Sequence, residues 1–167
     1  MIKKNPQATR GVHMPSLLKG AHVLIIDAPY YDDISQLLVA GATSVLSEYG
    51  VTYEHITVPG ALEIPQALAA GVEARLAGKK QFDGAIATGC VIRGDTAHFD
   101  VVIRNSNDGL MDVALRGALP VGNAILTVDT MEQARSRAEG GASGKGGDAA
   151  VACLRLIELR RQFHGAR

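Results

Sequence analysis

One segment in the middle of the chain carries the residue types best suited to chemistry. It reads Gly89-Cys-Val-Ile-Arg-Gly-Asp-Thr-Ala-His98, between an apolar run and a pattern of helical spacing. Glycines allow tight turns and close approach of the backbone to a ligand, and the first turn of a helix binds anions through its unpaired N–H groups. Histidine titrates near neutral pH, so His98 is a candidate for proton transfer. The alternative, a histidine that caps a helix or is satisfied in a core, stays open on spacing alone.

Other candidate ligand groups lie elsewhere in the chain. The cations that could hold a phosphate or carboxylate, or could simply be solvated, are Arg93, Arg137 and Lys145. Tyr30 and Tyr31 could stack on a planar ring or pack on their own sheet. Glu63 could bind an amide or hydroxyl, or stabilise the first turn of a helix. With no serine elbow and no converging metal ligands, these residues favour proton transfer, anion binding and ring recognition, without a metal.

The composition narrows the possible partners. The 167 residues include 17 Lys+Arg and 17 Asp+Glu, so the formal net charge is zero and no nucleic-acid partner is indicated. Apolar residues form 47% of the chain, but no run approaches the ~20 residues that span a bilayer. Cys90 and Cys153 are too far apart for a disulfide framework. Free thiols favour a cytoplasmic protein. The lack of a long apolar run indicates no membrane partner.

Four apolar runs alternate with helical patterns along the chain. The predicted strands cover residues 22–27, 51–58, 82–88 and 121–128. The predicted helices cover 34–49, 64–76, 99–115, a short stretch that opens with a capping box at Thr130, and 148–163. Asp32 or Asp33 is expected to cap the first helix, and 140–147 is expected to be a loop. Alternation of this kind predicts an open α/β sheet of mostly parallel strands with helices on both faces.

The same pattern predicts where a ligand binds. In open parallel sheets, ligands bind outside the carboxyl ends of the strands. The segments that follow the predicted strands there are 27–33, 59–63, 89–98 and 129–133. Residues 21–167 are expected to form this single domain. Residues 1–20 are expected to form a flexible N-terminal arm, which contains Pro6 and Pro15. The arm does not have the apolar core of a secretion signal.

Several motifs, in order and with matching gaps, resemble the lumazine synthase family. They are residues 58–65, 89–98, 120–121, 125–127, 132–134 and 145–146. The resemblance runs from about residue 20 to the last helix and implies a flavodoxin-like, three-layer α/β/α fold with a four-stranded sheet. It also implies a transferase of riboflavin biosynthesis. That reaction condenses 5-amino-6-(D-ribitylamino)uracil with 3,4-dihydroxy-2-butanone 4-phosphate to 6,7-dimethyl-8-ribityllumazine, phosphate and water, without cofactor or metal.

The resemblance also implies roles for individual residues. His98 would transfer protons, and Tyr30 would stack on the pyrimidine. The contacts to the ribityl chain and pyrimidine would come from Ala61, Leu62, Glu63, Cys90, Val91 and Ile92. The contacts to the phosphate would come from Asp95, Thr96 and Arg137, with Lys145 near the same pocket. In this family the site lies between subunits of a homopentamer, and some members pair pentamers or build sixty-subunit shells.

Some positions depart from the family pattern. Asn123 stands where members often carry a bulky aromatic residue, and it could hydrogen-bond the pyrimidine instead. Arg104 and Asn105 replace a frequent Asn-Glu pair, and Pro29 replaces a frequent Arg. Two other functions stay open: a non-catalytic relative that binds flavin or lumazine or forms a shell, and an unrelated flavodoxin-like nucleotide-binding protein.

Overall fold

The computed structural model describes residues 11–165, which alternate strands and helices as predicted. The strands are β1 (His22–Ala28), β2 (Thr52–Thr57), β3 (Gly84–Ile92) and β4 (Val121–Val128). The helices are α1 (Asp32–Glu48), α2 (Ile64–Leu76), α3 (His98–Arg116), α4 (Met131–Ala138) and α5 (Lys145–His164). Short 3₁₀ turns cover Pro15–Leu18, Ala61–Glu63 and Gly141–Ser143. No helix in the described part of the chain is long and apolar enough to cross a membrane.

The strands form one parallel sheet in the order β2-β1-β3-β4. Helices α1, α4 and α5 cover one face, and α2 and α3 cover the other, each over its own apolar cluster. Fully buried side chains such as Ile25 and Ile86 stabilise the layers by about 1.5–3 kcal/mol each. The three-layer α/β prediction is confirmed. The order matches the first four strands of the flavodoxin-like arrangement, with the switch in strand order between β1 and β3.

Strand β3 runs four residues beyond its predicted end. Gly89 therefore does not turn the chain; it pairs with Ala28 of β1 and Ile125 of β4. The strand continues because β4 runs beside it as far as the pair of Ile92 with Val128. A Cβ at Gly89 would lie 3.4 Å from Ile64 Cδ1, which is an ordinary contact distance, so the packing of α2 on the sheet does not require a glycine at this position.

Helix α5 begins three residues earlier than predicted. Gly146 and Gly147, placed in a loop by the sequence, lie in its first turn. A Cβ on Gly146 would lie only 1.9 Å from the Leu38 carbonyl oxygen, and one on Gly147 2.0 Å from that of Ala142. The loop prediction was wrong at these two positions. The glycines are in a helix, and they let its backbone lie close to α1 and to the 3₁₀ turn that precedes α5.

The caps of α1 and α4 differ in how well the sequence predicts them. Thr130 Oγ1 accepts from the Gln133 N–H at 3.2 Å, which confirms Thr130 as the N-cap of α4. The Gln133 side chain accepts from the Asp129 N–H at 2.9 Å, one residue before the position that a capping box requires. Asp32 and Asp33 do not cap α1: they lie in its first turn, and the N-cap is Tyr31, which makes no side-chain cap bond. Both carboxylates still lie close to the positive end of the helix dipole.

Residues 13 and 14 make specific contacts with helix α5. Glu158 of α5 is fully buried and accepts from the His13 N–H at 3.0 Å and from the Met14 N–H. Arg155 donates to the same carboxylate at 2.7 Å. Burial raises the pKa of Glu158, but these donors outweigh it and leave the pKa below its ordinary value. The part of the expected arm before residue 11 lies outside the described residues.

Candidate active site

A cleft of about 400 Å³ opens at the carboxyl edge of the sheet. Three parts of the chain line it: Tyr30 and Tyr31 after β1, residues 59–63 after β2, and the end of β3 with the start of α3. The cleft therefore lies beside the switch between β1 and β3, where open α/β sheets bind ligands. It also brings together most of the residues that the sequence predicts for the site. Those lining it are Tyr30, Ala61, Leu62, Glu63, Cys90, Val91, Ile92, Thr96 and His98. Asp95 is exposed in the turn between Gly94 and Thr96, outside the lining residues.

The two tyrosines after β1 have different surroundings. Their rings meet edge to face, with centroids 5.1 Å apart at 72°. Tyr31 packs against the core on the α1 side. Burial, with smaller contributions from Tyr30 and Cys90, raises the pKa of its phenol. Tyr30 is 73% exposed, so its ring remains available to stack on a planar ligand.

The turn after β2 presents a carboxylate and backbone groups to the cleft. Residues 61–63 form a 3₁₀ turn, in which the Glu63 N–H donates to the Gly60 carbonyl at 3.2 Å. A Cβ on Gly60 would lie 3.2 Å from Glu63 Oε2, so the glycine leaves room for this carboxylate. Pro65 lies in the first turn of α2, as predicted, where its missing N–H costs no hydrogen bond.

The end of β3 forms one wall of the cleft. Cys90 packs in the apolar cluster on the α1 side, whereas Val91 packs against the cluster on the opposite face. Burial, with a smaller contribution from Asp33, raises the pKa of the Cys90 thiol to about 11, so the thiol stays protonated at neutral pH. The cleft thus contains no activated cysteine. Residues 11–165 hold no group of three His, Cys, Asp or Glu side chains arranged for a metal ion.

His98 is the first residue of α3, and its side chain lines the cleft. The residue is exposed, which rules out a histidine satisfied in the core. It does not act as the N-cap either, because that position is Ala97. Its own N–H donates to Thr96 Oγ1 at 3.4 Å, which places the threonine hydroxyl beside the helix start. An exposed imidazole beside helix N–H groups can exchange protons with a bound anionic substrate.

Arg93 contacts side chains on both sides of the loop that leads to His98. Its Nε donates to Asp129 Oδ1 at 2.9 Å, and its Nη1 lies 3.9 Å from Asp100 Oδ1. The guanidinium also lies over the Phe99 ring, 4.2 Å from the centroid. Two carboxylates and a ring therefore surround this cation, which favours the structural interpretation of Arg93 over anion binding.

Asn123 of β4 is not part of the cleft lining. Its Nδ2 donates to Asn107 Oδ1 at 2.7 Å, and its Oδ1 accepts from the Ile125 N–H at 2.9 Å. These bonds hold the amide against its own chain. Each end of the amide keeps one further hydrogen-bonding position, because an amide offers two donors and two acceptor sites.

Two predicted cations also lie away from the cleft of their own chain. Arg137 of α4 donates to the Gln133 carbonyl at 3.1 Å within its own helix. Lys145 opens α5 and donates to Asp148 Oδ2 at 2.9 Å. Neither side chain is among the residues that line the cleft. The single chain therefore brings the proton-transfer and ring-binding residues together, but not these cations.

Several cleft residues had no individual role predicted from the sequence, although Pro59, Gly60 and Gly94 lie in the segments 59–63 and 89–98 that the sequence placed at the ligand-binding edge. Phe99 and Val102 line the cleft from α3, and Pro59 and Gly60 line it from the turn after β2. Helical spacing could have identified Phe99 and Val102 from the sequence. Both follow closely on His98, and residues three apart share a helix face. Gly94 also lines the cleft, and a Cβ there would meet no protein atom within 4 Å.

Fold and site together define a parallel three-layer α/β protein with a small-molecule cleft at its topological switch point. A family model described as 6,7-dimethyl-8-ribityllumazine synthase matches residues 20–161. A protein of Rhodopseudomonas palustris named 6,7-dimethyl-8-ribityllumazine synthase 1 is 47% identical over 146 residues, which cover 87% of this chain and 90% of that protein. A Methylorubrum populi protein named 6,7-dimethyl-8-ribityllumazine synthase is 48% identical over 161 residues, 96% of this chain and 95% of that protein. The chain belongs to the 6,7-dimethyl-8-ribityllumazine synthase family, which confirms the resemblance of its motifs.

Proposed function

We propose that this protein is a transferase that condenses 5-amino-6-(D-ribitylamino)uracil with 3,4-dihydroxy-2-butanone 4-phosphate. The products are 6,7-dimethyl-8-ribityllumazine, phosphate and water, in the riboflavin pathway. The observation that carries the proposal is the exposed His98 in a cleft with an exposed ring, Tyr30, in a chain of this family.

The pyrimidine binds on the side of the cleft formed by β1 and β3. Its ring stacks on Tyr30, and backbone groups of residues 90–92 meet its polar edge. The ribityl chain lies along Ala61 and Leu62, and Glu63 accepts hydrogen bonds from its hydroxyl groups. Stacking and a small set of directed hydrogen bonds orient the amine that attacks the ketone.

The four-carbon phosphate binds at the start of α3. The helix N-terminus supplies N–H groups and a favourable dipole. In the preceding turn, the backbone N–H groups of Asp95 and Thr96 and the Thr96 hydroxyl donate to the phosphate or its ester oxygen. Phosphate carries negative charge as it leaves, so a cation lowers the barrier. Arg137 supplies that charge, and Lys145 lies near the same pocket.

His98 serves the proton transfers between these two groups. The amine loses a proton when it adds to the ketone, and a first water leaves when the imine forms. Phosphate is then eliminated, and a second water leaves when the ribitylamino nitrogen closes the ring on the remaining carbonyl. Each step needs a proton taken or returned near one point. An imidazole titrates close to neutral pH and can do both in turn, without a metal or cofactor.

A neighbouring copy of the chain completes the site. Arg137, Lys145 and Asn123 lie outside the cleft of their own chain, so we place them at the cleft of the next subunit in a homopentamer. Large apolar side chains exposed on α3, Val101, Met111 and Leu115, support association through that helix. The free cysteines Cys90 and Cys153 support a cytoplasmic location.

A turnover assay with both substrates tests the function. Purified protein is supplied with both, and lumazine fluorescence and released inorganic phosphate are followed together. We expect the two signals to rise in equal amounts, and neither to rise when one substrate is omitted. A flat trace from folded, oligomeric protein would overturn the proposal and favour the non-catalytic lumazine- or flavin-binding alternative.

A further inference from the structure

A buried carboxylate lies below the cleft, and the proposed mechanism does not use it. Asp27, at the carboxyl end of β1, is 2% exposed. Its Oδ2 accepts from Ser35 Oγ at 2.6 Å, and its Oδ1 accepts from Thr88 Oγ1 at 2.8 Å. A carboxylate is costly to bury unless hydrogen bonds satisfy it, and bonds to an ionised acceptor are shorter and stronger than neutral ones.

The partners of Asp27 belong to the elements that border the cleft. Ser35 lies in the first turn of α1, and Thr88 lies beside Asp27 in β3. His55 of β2 places its Nε2 3.7 Å from Asp27 Oδ2. The Asp27 carbonyl also accepts from the Val58 N–H at 2.8 Å, at the end of β2. One residue thus connects β1, β2, β3 and α1.

Each connection lies a few residues from a cleft-lining group. Asp27 precedes Tyr30 by three positions, and Thr88 precedes Cys90 by two. The Ser35 N–H donates to the Tyr31 carbonyl at 2.9 Å. The network therefore fixes the ends of β1 and β3 relative to each other at the point where the aromatic pair leaves β1.

We infer that Asp27 is a positioning residue: through Ser35 and Thr88 it holds Tyr30 and Tyr31 in place against the wall formed by residues 90–92. The inference rests on the proposed function for its kinetic consequence. An apolar side chain would fill the same space, but it would not fix direction, since hydrogen bonds are directional and dispersion contacts are not. Loss of the network displaces the ring that stacks on the pyrimidine while leaving His98, on α3, unchanged.

Two substitutions at Thr88 separate hydrogen bonding from packing. Thr88→Val keeps the shape and removes the hydroxyl, whereas Thr88→Ser keeps the hydroxyl and removes a methyl group. We expect Thr88→Val to raise KM for the pyrimidine substrate about tenfold with kcat within about twofold, and Thr88→Ser to stay within about twofold on both. An unchanged KM in Thr88→Val would overturn the inference. An effect of Thr88→Ser as large as that of Thr88→Val would also overturn it, because it would assign the effect to packing. Thr43→Val, which removes an α1 hydroxyl bonded only to helix carbonyls, is the matched control.

Amide hydrogen exchange of the substrate-free protein tests the positioning without any assay of activity. Thr88→Val and Asp27→Asn should exchange faster than wild type at residues 31–35 and 90–92, and Thr88→Ser and Thr43→Val should not. Unchanged exchange in Thr88→Val would reject the positioning role, whatever the kinetics. If wild-type protein fails to make lumazine, the proposed function fails, and the exchange data still decide whether Asp27 holds the aromatic pair.

Discussion

Three of the five histidines differ in their surroundings, and the difference decides which of them can reach a bound substrate. The His22 ring stacks on Phe82 at 5.7 Å and shares a hydrogen bond with Thr52 at 2.7 Å. His55 lies beside the buried carboxylate of Asp27. His98 is exposed and is the one histidine among the residues that line the cleft. Proton transfer needs an imidazole that reaches the substrate, so position within the fold rather than residue type selects His98.

Replacement of His98 tests its role in proton transfer directly. His98→Ala should lower kcat by roughly 100-fold, which is within the range typical of a lost general acid–base. The variant should retain fold and assembly, because the side chain is exposed and lies at the start of its helix. Steady-state turnover and size-exclusion chromatography provide the two readouts.

The control for that experiment is an exposed histidine far along the chain. His164→Ala, at the end of α5, should leave kcat unchanged. Wild-type kcat in His98→Ala would remove His98 from the mechanism, and loss of assembly in that variant would make the residue structural.

At the scale of elements, α5 organises one face of the molecule. It packs against α1 through Gly146, and its buried Glu158 binds the backbone at His13 and Met14. The first contact depends on the absence of a side chain, and the second depends on a charge. We therefore expect a substitution at each of these two contacts to lower stability in a different way.

Gly146→Ala should destabilise the protein strongly. The added Cβ would lie 1.9 Å from the Leu38 carbonyl oxygen, so α5 and α1 must move apart, at a cost of about 3 kcal/mol. Gly94→Ala is the matched control, since a Cβ there meets nothing within 4 Å. Thermal unfolding should show a lower Tm for Gly146→Ala and an unchanged Tm for Gly94→Ala. Equal Tm values for the two variants would contradict the close contact.

Glu158→Gln should weaken the protein in a pH-dependent way. The pKa of Glu158 is lowered by folding, so the folded state binds fewer protons than the unfolded state. Its stabilising contribution is therefore present above the ordinary glutamate pKa and is lost as pH falls through the lowered folded-state value. At neutral pH the substitution should reduce the free energy of unfolding by roughly 1–3 kcal/mol, and the deficit should shrink in acid.

Denaturant titrations at several pH values and one protein concentration measure that deficit. Glu48→Gln, an exposed glutamate at the end of α1, is the control and should show little change at any pH. A deficit for Glu158→Gln that stayed constant with pH would show that the charge of Glu158 does not hold residues 13 and 14.

At the scale of the whole molecule, the proposed catalytic machinery is divided between chains. His98 lines the cleft, whereas Arg137 lies outside the cleft of its own chain on α4. Two inactive variants can then restore each other. A cleft from an Arg137→Ala subunit keeps His98, and a neighbouring His98→Ala subunit supplies Arg137.

Coexpression of His98→Ala with Arg137→Ala tests this arrangement. Each variant alone should be nearly inactive, the second mainly through a higher KM for the phosphate-bearing substrate. In randomly mixed rings at equal amounts, about one quarter of the sites should be complete, and activity should recover to about that fraction. Activity no higher than the mean of the two separate variants would place Arg137 at the cleft of its own chain, or outside the mechanism.

The layer architecture and most of the cleft follow from patterns in the sequence alone. Continuous apolar runs alternating with helical patterns specify a parallel sheet, and parallel strands bring the segments after them to one edge. This reasoning predicted that Tyr30, Glu63 and His98, which are far apart in sequence, lie close together at that edge. The family motifs predicted the role of each residue.

The contacts that the glycines and charged side chains make are visible only in the folded molecule. Gly89 continues a strand and Gly146 lies in the first turn of a helix, because neighbouring backbones approach within a distance that no local pattern encodes. Arg93 is surrounded by two carboxylates and a ring rather than left to an anion, and Asp27 is buried among hydroxyls from α1 and β3. Local spacing reports which face a residue occupies, but whether a charge is paired or exposed depends on residues brought beside it from distant parts of the chain.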